Sequence, residues 1–269
     1  MFNILKMIIS SLKITLTIFV CSIISLVTIF SARKKIKLMA KDNAIIITGC
    51  DSGFGKLSAL LLSEKGFQVI VTCMTEAGAK DLEGKVALVV MCDVTKQKDI
   101  DALMVKVSEL LKSRSCRLWA VVNNAGIAPM AFLDWASIES YRRVMDVNYF
   151  GVISMIKATL PLLKRTENSR IINLSSMAGF SAVPGMGAYS GESFFCKCGQ
   201  IFPSRFMLMN DVISVPFYNI IDNCLLDIIV GSKHAVEGLV KAIRPELKQW
   251  GIHVANINPA FMRSVYCIL

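Results

Sequence analysis

The stretch with the clearest chemical meaning is Thr48-Gly49-Cys50-Asp51-Ser52-Gly53-Phe54-Gly55. Glycines at this spacing suit a turn that carries the pyrophosphate of a dinucleotide. Gly49 allows a tight turn, Gly53 lets the backbone approach the phosphates, and Gly55 permits a helix to pack closely on a strand. A helix opening here adds unpaired N–H groups and positive potential at the phosphates. A glycine triplet is weak by itself; its place between the apolar run Ala44–Ile47 and the amphipathic stretch Lys56–Lys65 gives it force. Other chemistries are poorly supplied. Only two histidines occur, His234 and His253, which leaves little for a histidine-rich metal site or a Ser/His/Asp hydrolase. Cys196, Cys198 and Cys224 lack a fourth ligand at suitable spacing, so no metal is expected.

Positioning such a turn takes a buried sheet. Short apolar runs at Ala44–Ile47, Val69–Thr72, Ala87–Met91, Leu118–Val122, Arg170–Leu174 and Ile252–Ile257 read as strands of parallel-sheet character. Amphipathic stretches at Lys56–Lys65, Ile100–Lys112 and Ser140–Leu163 read as the helices between them. Strands alternating with helices predict an α/β, Rossmann-type doubly wound sheet, with right-handed crossovers bringing the strand carboxyl ends to one ligand-binding edge. Gly191–Val230 breaks the rhythm, so the domain at 39–269 reads as interrupted by an insertion at 191–230. Trp119, Trp135 and Trp250 read as packing residues, as do Met155, Met177 and Met186, and Cys50 reads as inert.

The chain has 269 residues, 54% of them hydrophobic and 19% charged. From Ile14 to Ala32 there are 19 residues without a charge, flanked by Lys6 and Lys13 before and by Arg33, Lys34, Lys35 and Lys37 after. That length suits a transmembrane helix, so residues 1–38 are expected to form a membrane anchor with its basic flank, in contact with membrane lipid. The heavier positive flank places the globular part in the cytosol. A cleaved signal peptide is the competing reading, although Phe30-Ser31-Ala32 fits its cleavage pattern poorly. The net charge of +10 is concentrated partly at this anchor and shows no basic stripe interleaved with aromatics, so nucleic acid is not an expected partner. Nine cysteines without regular spacing suit a reducing compartment.

Further motifs follow in order: Asp93 in Cys92-Asp93-Val94-Thr95, then Asn123-Asn124-Ala125-Gly126, then Asn148 in Val147-Asn148-Tyr149-Phe150-Gly151. Ser176 stands 13 positions before Tyr189, and Pro259 follows the sixth apolar run. Together with Thr48–Gly55 this series resembles the short-chain dehydrogenase/reductase family. Thr-Gly-Cys-Asp-Ser-Gly-Phe-Gly and Leu118-Trp119-Ala120-Val121-Val122-Asn123 are similar to its retinol and 17β-hydroxysteroid dehydrogenase branch. The resemblance implies a nicotinamide cofactor held by Thr48, Gly49, Asp51, Ser52, Gly53, Phe54 and Gly55. Asp93 would lie at the adenine, with Asn123, Ala125, Gly126, Pro259, Ser264, Tyr189 and Lys233 completing the site. It also implies an apolar alcohol or ketone substrate, placement in the endoplasmic reticulum membrane, and leaves a homodimer open.

The implied catalytic set is Asn148, Ser176, Tyr189 and Lys233. In the family, tyrosine and lysine stand four apart on one helix, both facing the nicotinamide. A phenol with an ordinary pKa of about 10 is drawn towards phenolate by the ammonium and the cationic ring, and so works as general acid/base near neutral pH. Serine holds the substrate oxygen, and asparagine maintains a water-linked proton path. In this chain position 193 is serine, and Lys233 lies 44 positions after Tyr189. Removing the 40 residues Gly191–Val230 restores the spacing and yields Tyr-Ser-Gly-Ser-Lys. Gly191-Glu192-Ser193 and Val230-Gly231 can be encoded by splice donor and acceptor sequences, so translated intron is the expectation. A genuine surface loop is the alternative.

Beyond Pro259 the family glycine is replaced by Ala260, and the chain stops at Leu269, so a C-terminally truncated sheet is expected. Pro245 should kink its helix or remove a backbone bond. At the end of the second strand Glu76 is near and arginine is absent, which favours NAD, with NADP kept open. The leading expectation is an NAD(P)-dependent oxidoreductase acting on a retinoid- or steroid-like alcohol or carbonyl. The competitors are a catalytically impaired, membrane-bound dinucleotide-binding protein and another Rossmann enzyme such as a methyltransferase.

Overall fold

A computed structural model describes residues 39–129, 136–179 and 227–259. The chain divides into two units, Met1–Met39 and Ala40–Leu269, and the described residues belong almost wholly to the second. They form β1 (Asn43–Ile47), α1 (Gly53–Glu64), β2 (Gln68–Cys73), α2 (Glu76–Leu82), β3 (Leu88–Met91), α3 (Gln97–Ser113) and β4 (Arg117–Asn123). There follow α4 (Ile138–Met145), a π-turn (Asp146–Phe150), α5 (Gly151–Leu163), β5 (Arg170–Leu174), α6 (Asp227–Lys248) and β6 (His253–Ile257).

The six strands make one parallel sheet in the order β3-β2-β1-β4-β5-β6. Every residue of β1 is buried, as expected of a central strand covered on both faces. Side-chain alternation sends Ala44 and Ile46 to one face and Ile45 and Ile47 to the other. The first face packs with Ile100, Leu103 and Val107 of α3, Met155 and Leu163 of α5, and Val240 and Leu247 of α6. The second packs with Ala59 of α1 and with Ala79 and Leu82 of α2. The order in which the chain adds strands to the sheet switches from one side of β1 to the other at β4, and the crevice at the carboxyl ends of β1 and β4 is where an open α/β sheet binds ligands.

The predicted strands agree with the observed ones to within a residue or so at each end. The Ser140–Leu163 stretch is divided: α4 and α5 are joined by the π-turn, a departure that often marks a functional position. Helix α6 carries Pro245 inside it and continues to Lys248. It also includes residues 227–230, the end of the segment read as an insertion, and Val230 is fully buried. Met155 is core, and Trp119 stacks on Phe67 with ring centroids 6.0 Å apart. Trp250 is half-exposed, with the Lys164 ammonium 4.2 Å from its ring centroid.

Trp135, Met186, Cys196, Cys198 and Cys224 lie outside the described residues, as does the apolar run at 14–32. Among the described residues no helix is long and apolar enough to cross a membrane.

Candidate functional site

Thr48 leaves the carboxyl end of β1 and binds the neighbouring turn. Its hydroxyl accepts from the N–H groups of Asn124 and Ala125, both at 3.0 Å. The Asn124 amide donates back to the carbonyls of Thr48 and Gly49, both at 2.8 Å. Two loops from adjacent strands are thereby locked across the crevice. Gly49 has φ +67°, and a Cβ there would come within 2.7 Å of the Ala125 backbone. A Cβ on Gly55 would come within 2.6 Å of the Gly49 carbonyl and would also strike the Asn124 side chain. Gly53 differs: it has φ +60°, and a Cβ there would meet nothing within 4 Å. Gly49 and Gly55 therefore serve the protein's own packing, whereas Gly53 keeps open space beside the start of α1. The geometry fits a pyrophosphate approaching a helix N-terminus.

Around that cradle, Asp51 reaches across to the turn after β2, where its carboxylate accepts from the N–H groups of Met74 and Thr75 and from the Thr75 hydroxyl. Burial opposes its ionisation, yet these donors outweigh burial and hold the carboxyl below its ordinary range. Asp93 sits at the end of β3, closing a tight turn with the Thr95 N–H and hydroxyl at 3.0 and 2.7 Å. Phe54 is half-exposed beside the glycines. The Cys50 thiol is fully buried, and burial first, then Cys73 and Asp51, pushes its pKa far up, so it is inert.

The second part of the site lies at the carboxyl ends of β4 and β5. Asn148 is buried in the π-turn. Its Oδ1 accepts from the Ile127 N–H at 2.9 Å, and its Nδ2 donates to the Ile127 carbonyl and to the Ser232 hydroxyl, both at 3.0 Å. Asn148 thus joins the extension of β4 to α6, one residue from Lys233. The Lys233 Nζ donates to the carbonyl of Leu174, the last residue of β5, at 2.7 Å. The residue as a whole is half-buried, but its ammonium is enclosed, and that burial pushes its pKa from 10.5 down to about 8. Two residues after Leu174 comes Ser176, whose hydroxyl accepts from the Ala178 N–H at 3.1 Å. The Met177 N–H donates to the Pro259 carbonyl at 3.2 Å.

Asn148, Ser176, Lys233 and Pro259 therefore share one edge with the glycine-rich turn. Tyr189 and Ser264 lie outside the described residues. On α6 the position one turn before Lys233 is 229, an isoleucine.

The Asn123 side chain is turned into the sheet. It is buried on the α3/α5 side of the sheet and donates to Asn173 Oδ1 at 2.8 Å. Asn173 in turn donates to Asn256 Oδ1 at 3.2 Å, a ladder along paired positions of β4, β5 and β6. Its neighbour Asn124, which the motif reading passed over, is the one that faces the glycine turn. The alternation of β4 would have separated the two once the buried face of that strand was known.

A family model described as short chain dehydrogenase matches residues 43–195. Among curated proteins, the chain is 32% identical over 227 residues to dehydrogenase/reductase SDR family member 9 of Homo sapiens, covering 83% of this chain and 57% of that one. It is 31% identical to retinol dehydrogenase 7 of Mus musculus (87% and 61% covered) and 31% identical to 17-beta-hydroxysteroid dehydrogenase type 6 of Bos taurus (83% and 58% covered). The chain thus spans about six tenths of the length of the curated relatives it matches. Its fold is shared with a 3-ketoacyl-(acyl-carrier-protein) reductase of Brucella melitensis crystallised with NADH, at a TM-score of 0.60 and 24% identity, covering 83% of this chain and 77% of that one.

Proposed function

This chain belongs to the short-chain dehydrogenase family, and from that premise we propose that it is built to interconvert an alcohol and a carbonyl with a nicotinamide dinucleotide. The single observation that carries the reading is the shared edge: the open space at Gly53 and the Lys233 ammonium lie at carboxyl ends of the same parallel sheet. Thr48, Asp51, Ser52, Gly53 and Phe54 would hold the dinucleotide on a turn whose close packing Gly49 and Gly55 permit, with Asp93 at the adenine end and Ala125, Gly126 and Pro259 along the edge. Bound there, the nicotinamide supplies the hydride acceptor or donor.

The side chains then divide the remaining work. Ser176 orients the substrate oxygen by a hydrogen bond. Tyr189 exchanges the proton at that oxygen. Lys233, a cation enclosed at the end of β5, favours the phenolate form of a phenol placed beside it. Asn148 keeps α6 and the β4 extension in register, so that Lys233 is presented at a fixed height. The substrates named by the relatives, retinol and 17β-hydroxysteroids, favour an apolar secondary or allylic alcohol. The uncharged run at 14–32 favours an anchor that brings the site to a membrane where such substrates dissolve.

A second reading applies to the chain as it stands. Isoleucine at 229 puts no tyrosine one turn before Lys233 on α6, which favours a dinucleotide-binding protein with impaired chemistry. We take Gly191–Val230 as a translated intron whose removal returns Tyr189 to that position.

Alcohol-dependent NADH formation, assayed with retinol and a 17β-hydroxysteroid on the chain lacking Gly191–Val230, tests both readings. We expect turnover in the shortened chain, a loss of at least about a hundredfold on Tyr189→Phe, and little turnover in the uninterrupted chain. Equal turnover in Tyr189→Phe would overturn the assignment.

A further inference from the structure

Every pairing in the sheet is parallel, so all the strands start on one edge, and the connections that feed them gather there. Those connections are residues 39–42, 65–67, 83–87, 114–116, 164–169 and 249–252, and they carry six lysines and arginines against three acids. On the opposite edge, the described residues that leave the strands are 48–52, 74–75, 92–96, 124–129, 136–137, 175–176 and 258–259. These carry one lysine against two acids. Bases that are scattered along the sequence are thus collected by the topology at the amino ends of the strands.

Among the described residues, Lys41, Lys65, Arg165 and Lys248, the last residue of α6, are exposed on this edge and take part in no ion pair. Half-exposed Trp250 lies in the last of these connections, with the Lys164 ammonium 4.2 Å from its ring centroid. Exposed bases beside a half-exposed indole suit a membrane–water interface, where the ring sits at headgroup level and the bases meet anionic lipid. The tether favours the same partner. The chain enters this edge through the short turn Ala40–Asp42, and residues 33–39 are all that separate that turn from the uncharged run at 14–32. Residues 33–38, Arg-Lys-Lys-Ile-Lys-Leu, reach at most about 20 Å when extended, and four of these six are bases.

We propose that the amino edge of the sheet docks on an anionic lipid surface, with Lys41, Lys65, Arg165 and Lys248 meeting the headgroups and Trp250 at their level. The inference rests on the anchor reading for its tether and adds a second, electrostatic contact made by the folded domain itself. Attraction between a base and a negatively charged leaflet extends only about 8 Å at physiological salt. Bases therefore contribute only where the chain already holds them close, and the tethered edge is that place. The crevice at the carboxyl ends of the strands then faces water, about one strand length, roughly 17–20 Å, from the lipid. A dinucleotide, itself an anion, enters on the side away from the negative surface.

The test uses the full chain with vesicles of phosphatidylcholine alone and with vesicles that also contain phosphatidylserine. After flotation the protein is acylated with a water-soluble N-hydroxysuccinimide ester, and the modified lysines are mapped by mass spectrometry. Lys98, exposed in the first turn of α3 at the carboxyl edge, is the internal reference. With phosphatidylserine, labelling of Lys41, Lys65 and Lys248 should fall about threefold or more relative to Lys98. Salt at about 1 M, which shortens the screening length to about 3 Å, should restore it. Arg165→Glu combined with Lys248→Glu, both exposed changes, should restore labelling of Lys41 and Lys65 without salt. Equal labelling on the two kinds of vesicle, or protection that high salt leaves unchanged, would overturn the docking while leaving the anchor. Equal protection by soluble polyglutamate would assign the edge to an acidic protein partner and overturn the lipid assignment. Flotation with phosphatidylserine alone, released by salt, would remove the anchor and keep the docking; flotation with neither would overturn both.

Discussion

A lysine ammonium enclosed at the end of a strand is costly to keep charged, and Lys233 shows the cost as a pKa pushed from 10.5 to about 8. The sign of the resulting pH dependence follows from where the proton is held. Below pH 8 both folded and unfolded chains carry the charge, and the folded state bears the desolvation cost. Between about 8 and 10.5 the unfolded chain still binds a proton that the folded chain has released, so stability rises with pH through that window. Lys233→Met removes the effect. Urea unfolding should find the variant more stable than wild type near pH 7, by on the order of 3 kcal/mol, with the gap closing by pH 10.5. A gap that is constant across this range would contradict an enclosed ammonium. Asn148 makes the opposite case, since it is a neutral side chain with every polar atom engaged. Asn148→Ala leaves the Ile127 N–H and carbonyl without their side-chain partner, and should cost about 2–4 kcal/mol of stability in the same measurement.

At the scale of elements, the strands were legible because each is a short apolar run bounded by turn residues, and parallel strands buried on both faces have no alternation to misread. Helix α2 was not legible. Its sequence, Glu76-Ala-Gly-Ala-Lys-Asp-Leu82, offers only Ala79 and Leu82 to the core, too few for a period. It is held instead by the Thr75 cap on the Gly78 N–H and by the pairing of Asp81 with Lys56 and Lys85. The π-turn was equally hidden, because one extra residue in a helical run leaves the hydrophobic pattern on both sides intact. The ladder Asn123–Asn173–Asn256 shows why adjacent asparagines needed a structure to tell apart. Residue type allowed either one to face a ligand, and strand register buried Asn123 and presented Asn124. Asn173→Val should strand both neighbours in the ladder and cost about 2–3 kcal/mol, with amide exchange accelerated in β5 and β6 ahead of β1. Uniform acceleration across the sheet would mean that the ladder has no local role.

For the molecule as a whole, motif order was enough to find the family, because the glycine turn, the Asn123-Asn124 turn, Asn148 and Ser176 are all set by one sheet topology. What the sequence could not settle was the geometry around α6, where residues 227–230 join a helix that carries Lys233. The glycines divide the edge into packing and binding roles, and substitution should separate them. Gly55→Ala drives a Cβ onto the Gly49 carbonyl and the Asn124 amide, so it should destabilise the protein as well as weaken binding. Gly53→Ala meets no atom, and its strain is confined to a positive φ costing roughly 1–2 kcal/mol. A bulkier side chain there should leave a folded protein whose open space is filled.

The claim on which the rest depends is that the crevice between β1 and β4 holds a nicotinamide dinucleotide. Its most direct test is a titration of the intact chain and of Gly53→Val with NADH, with circular dichroism confirming that both are folded. The account predicts saturable tryptophan-to-NADH energy transfer in the intact chain and its loss in the variant. No saturable signal in the intact chain, or the same curve in both proteins, would contradict it.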